Sequence, residues 1–170
     1  MDLDLPQKPV FLGPATLWKR IAAFIFDLFV IDFFILSLFR DIIAKTLGEN
    51  SDILSTYSMI ENNPAQMQAL TLVFALITLL SITYFVLSQY ATGQTLGCML
   101  MRIMVVAQVG KGKYADPTFT QCIIRNAFLI PTIPFILLWI VDPLYLLFTK
   151  KGQRLTEWLS STMVIEQYNL

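Results

Sequence analysis

An all-α membrane protein is the fold class the sequence predicts, with two transmembrane helices, a third proline-broken membrane-embedded segment and a small cytoplasmic β element. Three observations carry that prediction. The 170 residues are 56% hydrophobic with a mean hydropathy of +0.64, too apolar for a soluble domain. Two runs, one between Arg20 and Arg40 and one over Met67–Tyr90, each have the ~20 residues needed to cross a ~30 Å hydrocarbon layer. Two short β-branched runs, Ile103–Ala107 and Thr162–Ile165, are bounded by turn residues and read as strands.

In chain order, residues 1–17 carry Pro6, Pro9, Gly13 and Pro14, a density of breakers that predicts an irregular arm on the membrane surface. The first span, 18–39, opens after Thr16, an N-cap residue type, and contains two acids, Asp27 and Asp32. Asp27 lies roughly 13 Å along the span from Trp18, where an ionised carboxylate costs about 2.5–3.5 kcal/mol unless it is protonated, paired or solvated by protein. Arg20 and Asp27, seven residues apart, share a face, but about 10 Å of helix separates them, so Asp27 is expected to face another helix or a wet cleft. Asp32 sits ~140° round from Asp27, toward the outer half of the bundle. Each residue has a plainer reading: Asp27 or Asp32 as a packing element bonded to a neighbouring helix or reached by water, Arg20 as an interfacial anchor.

Residues 40–65 are polar and form an outer loop. The second span, 67–90, holds Ser81, Thr83, Tyr84, Ser88 and Gln89, able to bond across a helix pair or to their own backbone. Gly93 and Gly97 follow as a G-x-x-x-G at the span's end, where a C-cap and a restarted helix account for both. The 91–125 region combines a strand, the turn Gly110–Lys113 and an amphipathic piece starting at Asp116-Pro117-Thr118 and carrying Arg125. Segment 126–149 is apolar but interrupted by Pro131, Pro134 and Asp142-Pro143, which suits a discontinuous membrane segment. Asp142 is either a functional acid or the cap of a broken helix near Lys150 and Lys151. The tail, 150–170, ends the single domain.

Lys and Arg number three in the arm, two in the 40–61 loop, four in 102–125 and three after Thr149. The positive-inside rule therefore places the 40–65 loop outside and both termini in the cytoplasm, with the third segment re-entrant rather than crossing. Two strand-like runs on the same side can then pair.

The composition excludes several chemistries. With zero net charge and a pI near 6.2, no basic field draws nucleic acid. Histidine is absent, and two cysteines, Cys98 and Cys122, cannot build a structural zinc site. They follow no CxxC pattern and read as reduced. No nucleophile–base pair or phosphate loop is present, so neither an enzyme nor a cofactor is expected. The first apolar run is too long and too acidic for a cleaved signal, and so stays in the mature chain.

Together Arg20, Ala22-Ala23-Phe24 and Asp27, then Gly93-Gln94-Thr95-Leu96-Gly97 before a Val-Val pair, Arg125-Asn126, and Gln153-Arg154-Leu155-Thr156 form an ordered set of motifs over about residues 16–166. The chain resembles the RDD family of small integral membrane proteins, named for one arginine and two aspartates. By that resemblance Arg20 is the family arginine, Asp27 its first aspartate, and Glu157 stands where the second falls, an acid one methylene longer. Cys98 replaces a usual lysine, and Ser160-Ser161 a usual Ala-Gly before Thr162. Transport of unidentified ligands has been proposed for the family. The expectation is thus a multi-pass plasma-membrane transporter or ion exchanger using intramembrane acids, with Arg20, Asp27, Asp32, Arg125, Asp142 and Glu157 as pathway candidates. Gly93, Gly97 and Thr162 are structural. Two or three spans cannot enclose a pathway, so a homo-oligomer, most simply a dimer, is implied. The alternative is a non-transporting scaffold or accessory subunit docking another membrane protein.

Overall fold

The computed structural model describes residues 10–47, 63–110, 113–132, 135–149 and 153–169. Strand β1 (Val10–Pro14) leads into helix α1 (Leu17–Ile31), a π-helical turn (Asp32–Leu36) and α2 (Ser37–Leu47). Then come α3 (Pro64–Thr92), α4 (Leu96–Met101), β2 (Ile103–Gly110), β3 (Lys113–Ala115) and α5 (Phe119–Arg125). Two 3₁₀ turns (Ala127–Leu129 and Phe135–Leu137), α6 (Leu138–Phe148), α7 (Leu155–Leu159) and β4 (Thr162–Asn169) complete the order.

Among the described residues two helices are long and apolar enough to cross a membrane, Leu17–Thr46 and Pro64–Thr92. Only 17% and 28% of their most apolar stretches are buried, so Phe29, Phe33, Leu38, Leu72 and Leu79 point outward, where the core helix of a soluble protein would be covered. The first helix runs past the expected end at Phe39, its ladder widened once at the π turn that begins with Asp32. The second begins at Pro64, with Asn63 as N-cap accepting from the Gln66 N–H at 3.4 Å.

The third segment is broken, as its prolines predict. Its two 3₁₀ turns flank residues 131–134, and α6 has eleven residues, ~16 Å, well short of a ~30 Å hydrocarbon layer.

The two strand-like runs pair antiparallel, Ile103 opposite Glu166 through Ala107 opposite Thr162, inside a larger sheet of order β1-β4-β2-β3. Its first strand corrects the expectation of a wholly irregular arm. Val10, Phe11 and Leu12 pair with Asn169, Tyr168 and Gln167, and Pro14 is tolerated because β1 is an edge strand. Residues 1–9 lie outside the described residues, as does most of the expected 40–65 loop.

Pairing also fixes sidedness. β1 precedes the first long helix and β2 follows the second, yet both bond to β4. The two long helices therefore form a hairpin whose two sheet-proximal ends lie together, and the chain between Ala115 and Thr162 leaves and returns on that same side. A small core of Ala15, Ala23, Ile103, Val105 and Val164 joins the sheet to the base of α1.

Candidate functional site

Four residues of α1 are buried, Arg20, Ala23, Asp27 and Ile31, one stripe at helical spacing. The stripe carries two distinct charged centres.

The first is Asp27, 2% exposed, which faces α3 and the start of α4. Its Oδ1 accepts from the Tyr84 hydroxyl at 2.8 Å and the Gly97 N–H at 2.9 Å, and its Oδ2 accepts from the Thr95 hydroxyl at 2.6 Å. Thr95 is also the N-cap of α4, accepting from the Cys98 N–H at 3.2 Å, so the residue that starts α4 ties it to Asp27.

Gly97 is required by close approach. A Cβ there would lie 2.0 Å from the Ala23 carbonyl oxygen. The expected C-cap and restarted helix are both present: Gly93 ends α3 at φ +69° and donates to the Gln89 carbonyl at 2.9 Å, and Gly97 lies in α4, where its contact with α1 is the added finding. Among the described ion pairs none involves Asp27, which is held by neutral donors rather than by Arg20, Arg125 or Glu157.

The second centre is Glu157 on α7, fully buried. Its Oε2 meets Arg20 Nη1 at 3.1 Å, its Oε1 meets Arg125 Nη2 at 3.0 Å, and Arg154 Nε stands 3.7 Å from Oε1. Burial alone would raise the Glu157 carboxyl. Arg125, Arg154 and Arg20 outweigh it and hold the group below the usual carboxylate range.

Each arginine is also fixed elsewhere: Arg20 Nη2 donates to the Val164 carbonyl at 3.1 Å, and Arg125 Nη1 to the Thr162 hydroxyl at 3.2 Å. Thr162, expected as a structural residue at the start of a strand, also supports the cluster. Next to Arg20, Lys19 pairs with Glu166 and adds a second tie between helix and sheet.

Asp142 joins this centre from α6. Its Oδ1 accepts from the Thr156 N–H at 2.7 Å and the Thr156 hydroxyl at 2.9 Å, and its Oδ2 lies 4.0 Å from Arg154 Nη1. It therefore caps α7 rather than its own helix. Asp32 is apart from both centres, with a side chain half exposed and Arg40 3.4 Å away.

Of the polar residues of the second span, Tyr84 and Gln89 reach across, Gln89 accepting from Asn126 Nδ2 at 3.0 Å. Ser81 and Thr83 bond their own helix carbonyls at 2.8 and 2.7 Å.

Sequence reasoning did not place Thr95, Tyr84, Arg154 or Thr156 in a site. The signal available for Thr95, Arg154 and Thr156 was their membership of the Gln94-to-Gly97 and Gln153-to-Thr156 motifs, and for Tyr84 its polar hydroxyl inside the second span. Cys98 and Cys122 are both free thiols.

Two cavities adjoin the cluster. One, about 40 Å³, is lined by Arg20, Asp27, Gln89, Arg125, Asn126 and Glu157, and has room for a few waters. The other, about 430 Å³ and mostly apolar, lies between α1 and α6 and touches Arg20, Asp142 and Arg154.

No curated protein and no solved structure shows significant similarity to the chain. The sequence model of the RDD family matches residues 14–161, a stretch holding Arg20, Asp27, Gly93, Gly97, Arg125, Asp142 and Glu157. The chain therefore belongs to the RDD family.

Proposed function

We propose that this RDD protein is a non-enzymatic plasma-membrane carrier, working as a homodimer or larger homo-oligomer, whose ligand site is the arginine cluster around Glu157. One observation carries the reading: three guanidiniums converge on a single buried carboxylate in the wall of a cavity. Ionisable groups buried against one another at a cavity wall are costly to keep and make a functional-site candidate.

The excess of cation around Glu157 favours a ligand with an anionic group. Such a group displaces the Glu157 carboxylate from Arg20 and Arg125. Glu157, still buried but stripped of its counter-charges, then favours its protonated form, so one proton enters with one anion. Asp27 takes no part in this exchange, because fixed donors already occupy both its oxygens. The site is shared out among five elements, and two crossing helices per chain do not enclose a path, which is why an oligomer is invoked. Both termini lie in the cytoplasm by the count of Lys and Arg around the spans.

The test is proton entry into proteoliposomes on addition of alkylsulfonates of increasing chain length, inorganic phosphate, Na⁺, K⁺ and Li⁺ in turn. Anion-dependent proton entry that disappears in Glu157→Gln is expected. Entry driven by cations alone, or none with any ion, overturns the reading.

One observation favours a second reading, an accessory subunit. The β3 edge, Lys113–Ala115, is exposed throughout and offers a strand edge to another protein.

A further inference from the structure

We propose that the cavity between α1 and α6 binds a single-chain anionic amphiphile of the bilayer, its headgroup on Arg20 and Arg154 and its chain along the apolar wall. This names the substrate class of the carrier proposed above and rests on that reading.

The cavity measures about 430 Å³, within the range of roughly 300–1,000 Å³ typical of small-molecule sites. Its wall is built from Ile21, Phe24, Phe128, Leu138 and Leu144, so the bulk of a ligand there must be hydrocarbon. Phe24 stacks on Phe85 at 6.4 Å between ring centres and tilts against Phe128 at 6.2 Å, which fixes the floor. The rim is open: Leu17, Ile21, Trp139 and Leu144 are all exposed, at the sheet-side end of the first span. A molecule already in that leaflet can enter sideways, chain first.

The polar end has donors to spare. Arg20 is 4% exposed, and its Nε has no hydrogen-bond partner among the described residues, although Nη1 and Nη2 are both engaged. An unmet N–H buried to that degree is costly, and it leaves the Arg20 charge short of acceptors.

Arg154 makes its two ion-pair contacts at 3.7 and 4.0 Å, both longer than a hydrogen bond. The one carboxylate on this wall, Asp142, has its Oδ1 taken by Thr156. Two guanidiniums beside one partly engaged acid select an acceptor-only headgroup, a carboxylate or a phosphate monoester. A neutral or cationic head would leave them unmet. The volume suits one chain rather than two.

The chain supplies its own reporter. Trp139 lines the cavity, with its indole N–H donated to the Phe128 carbonyl at 2.6 Å. The chain has three tryptophans, so Trp18→Phe with Trp158→Phe leaves Trp139 alone.

In phosphatidylcholine nanodiscs at alkaline pH, quenching of Trp139 by dibromostearate should saturate. Its methyl ester should need about a tenfold higher mole fraction. Ile21→Phe with Leu144→Phe, which fills the cavity without changing a charge, should abolish saturation while circular dichroism and the thermal midpoint stay unchanged. Arg154→Gln should raise the half-quenching fraction about tenfold.

Equal, linear quenching by acid and ester, unmoved by the filled cavity, overturns the proposal. Saturable binding without flux supports the site and removes the carrier reading. Flux without saturable binding overturns the site and leaves the carrier standing.

Discussion

Asp27 and Glu157 are both buried acids near the same end of the hairpin, and they are held in opposite ways. Asp27 has three neutral donors, two of them from the turn that restarts the chain at α4. Their positions are set by backbone: Thr95 is an N-cap, and Gly97 sits against the α1 backbone with no room for a methyl group. Glu157 instead has three guanidiniums on long side chains from α1, α5 and the N-cap of its own helix, and it shares the small polar cavity with Asp27. A carboxylate gripped by fixed dipoles with both oxygens occupied is a pin. A carboxylate balanced among side-chain cations at a cavity wall can be replaced by another anion.

The largest expected effect comes from Glu157→Gln. It leaves Arg20 and Arg125 buried without their counter-charge, a change that costs about 3–5 kcal/mol for buried ion pairs. The thermal midpoint of purified protein in detergent measures it, and Glu157→Asp, which restores the acid, should recover most of the loss.

Gly97→Ala follows, at about 3 kcal/mol, because the added methyl overlaps the Ala23 carbonyl and the two helices must part. Size-exclusion profiles and midpoints should both deteriorate, whereas alanine at Gly110, where a Cβ meets nothing, should leave them unchanged.

Asp27→Asn is third. Its amide nitrogen faces donors that the second oxygen used to satisfy, a loss of about 1–3 kcal/mol per unmet group.

The smallest effect is with pH. Glu157 has a folded-state pKa below its ordinary 4.5, so its stabilisation is complete above that value and is lost as pH falls through the lower one. Its contribution to the midpoint should be constant from neutral pH down to about 5, decline only below 4.5, and be missing in the Gln variant.

The two centres were unequally legible. The spans were readable because uninterrupted apolar length is itself the signal, and the β2–β4 pairing because both runs are β-branched and bounded by turns. Strand β1 was hidden by Gly13 and Pro14, which punctuate a segment that is nonetheless an edge strand.

Arg20 and Asp27 announced themselves as charges inside a span. Glu157 did not: at the sequence level it is an ordinary acid in a polar tail, singled out only by the family resemblance as the place where the second aspartate falls. Arg154 entered only as one residue of the Gln153-to-Thr156 motif and one of the three cations after Thr149. That it turns onto Glu157 depends on α7 being docked by Asp142, a contact between residues fourteen apart. Gly97 shows the same limit: spacing offered a G-x-x-x-G, but whether a glycine serves a cap or a backbone contact is decided by what packs on it.

The most direct test is proton entry driven by alkylsulfonate in proteoliposomes, measured per folded molecule for Asp27→Asn and Glu157→Gln side by side. Asp27→Asn should lower stability yet carry anions at close to the wild-type rate, while the folded fraction of Glu157→Gln should carry none. Flux that vanishes with Asp27→Asn and survives Glu157→Gln would contradict the assignment of pin and exchange site.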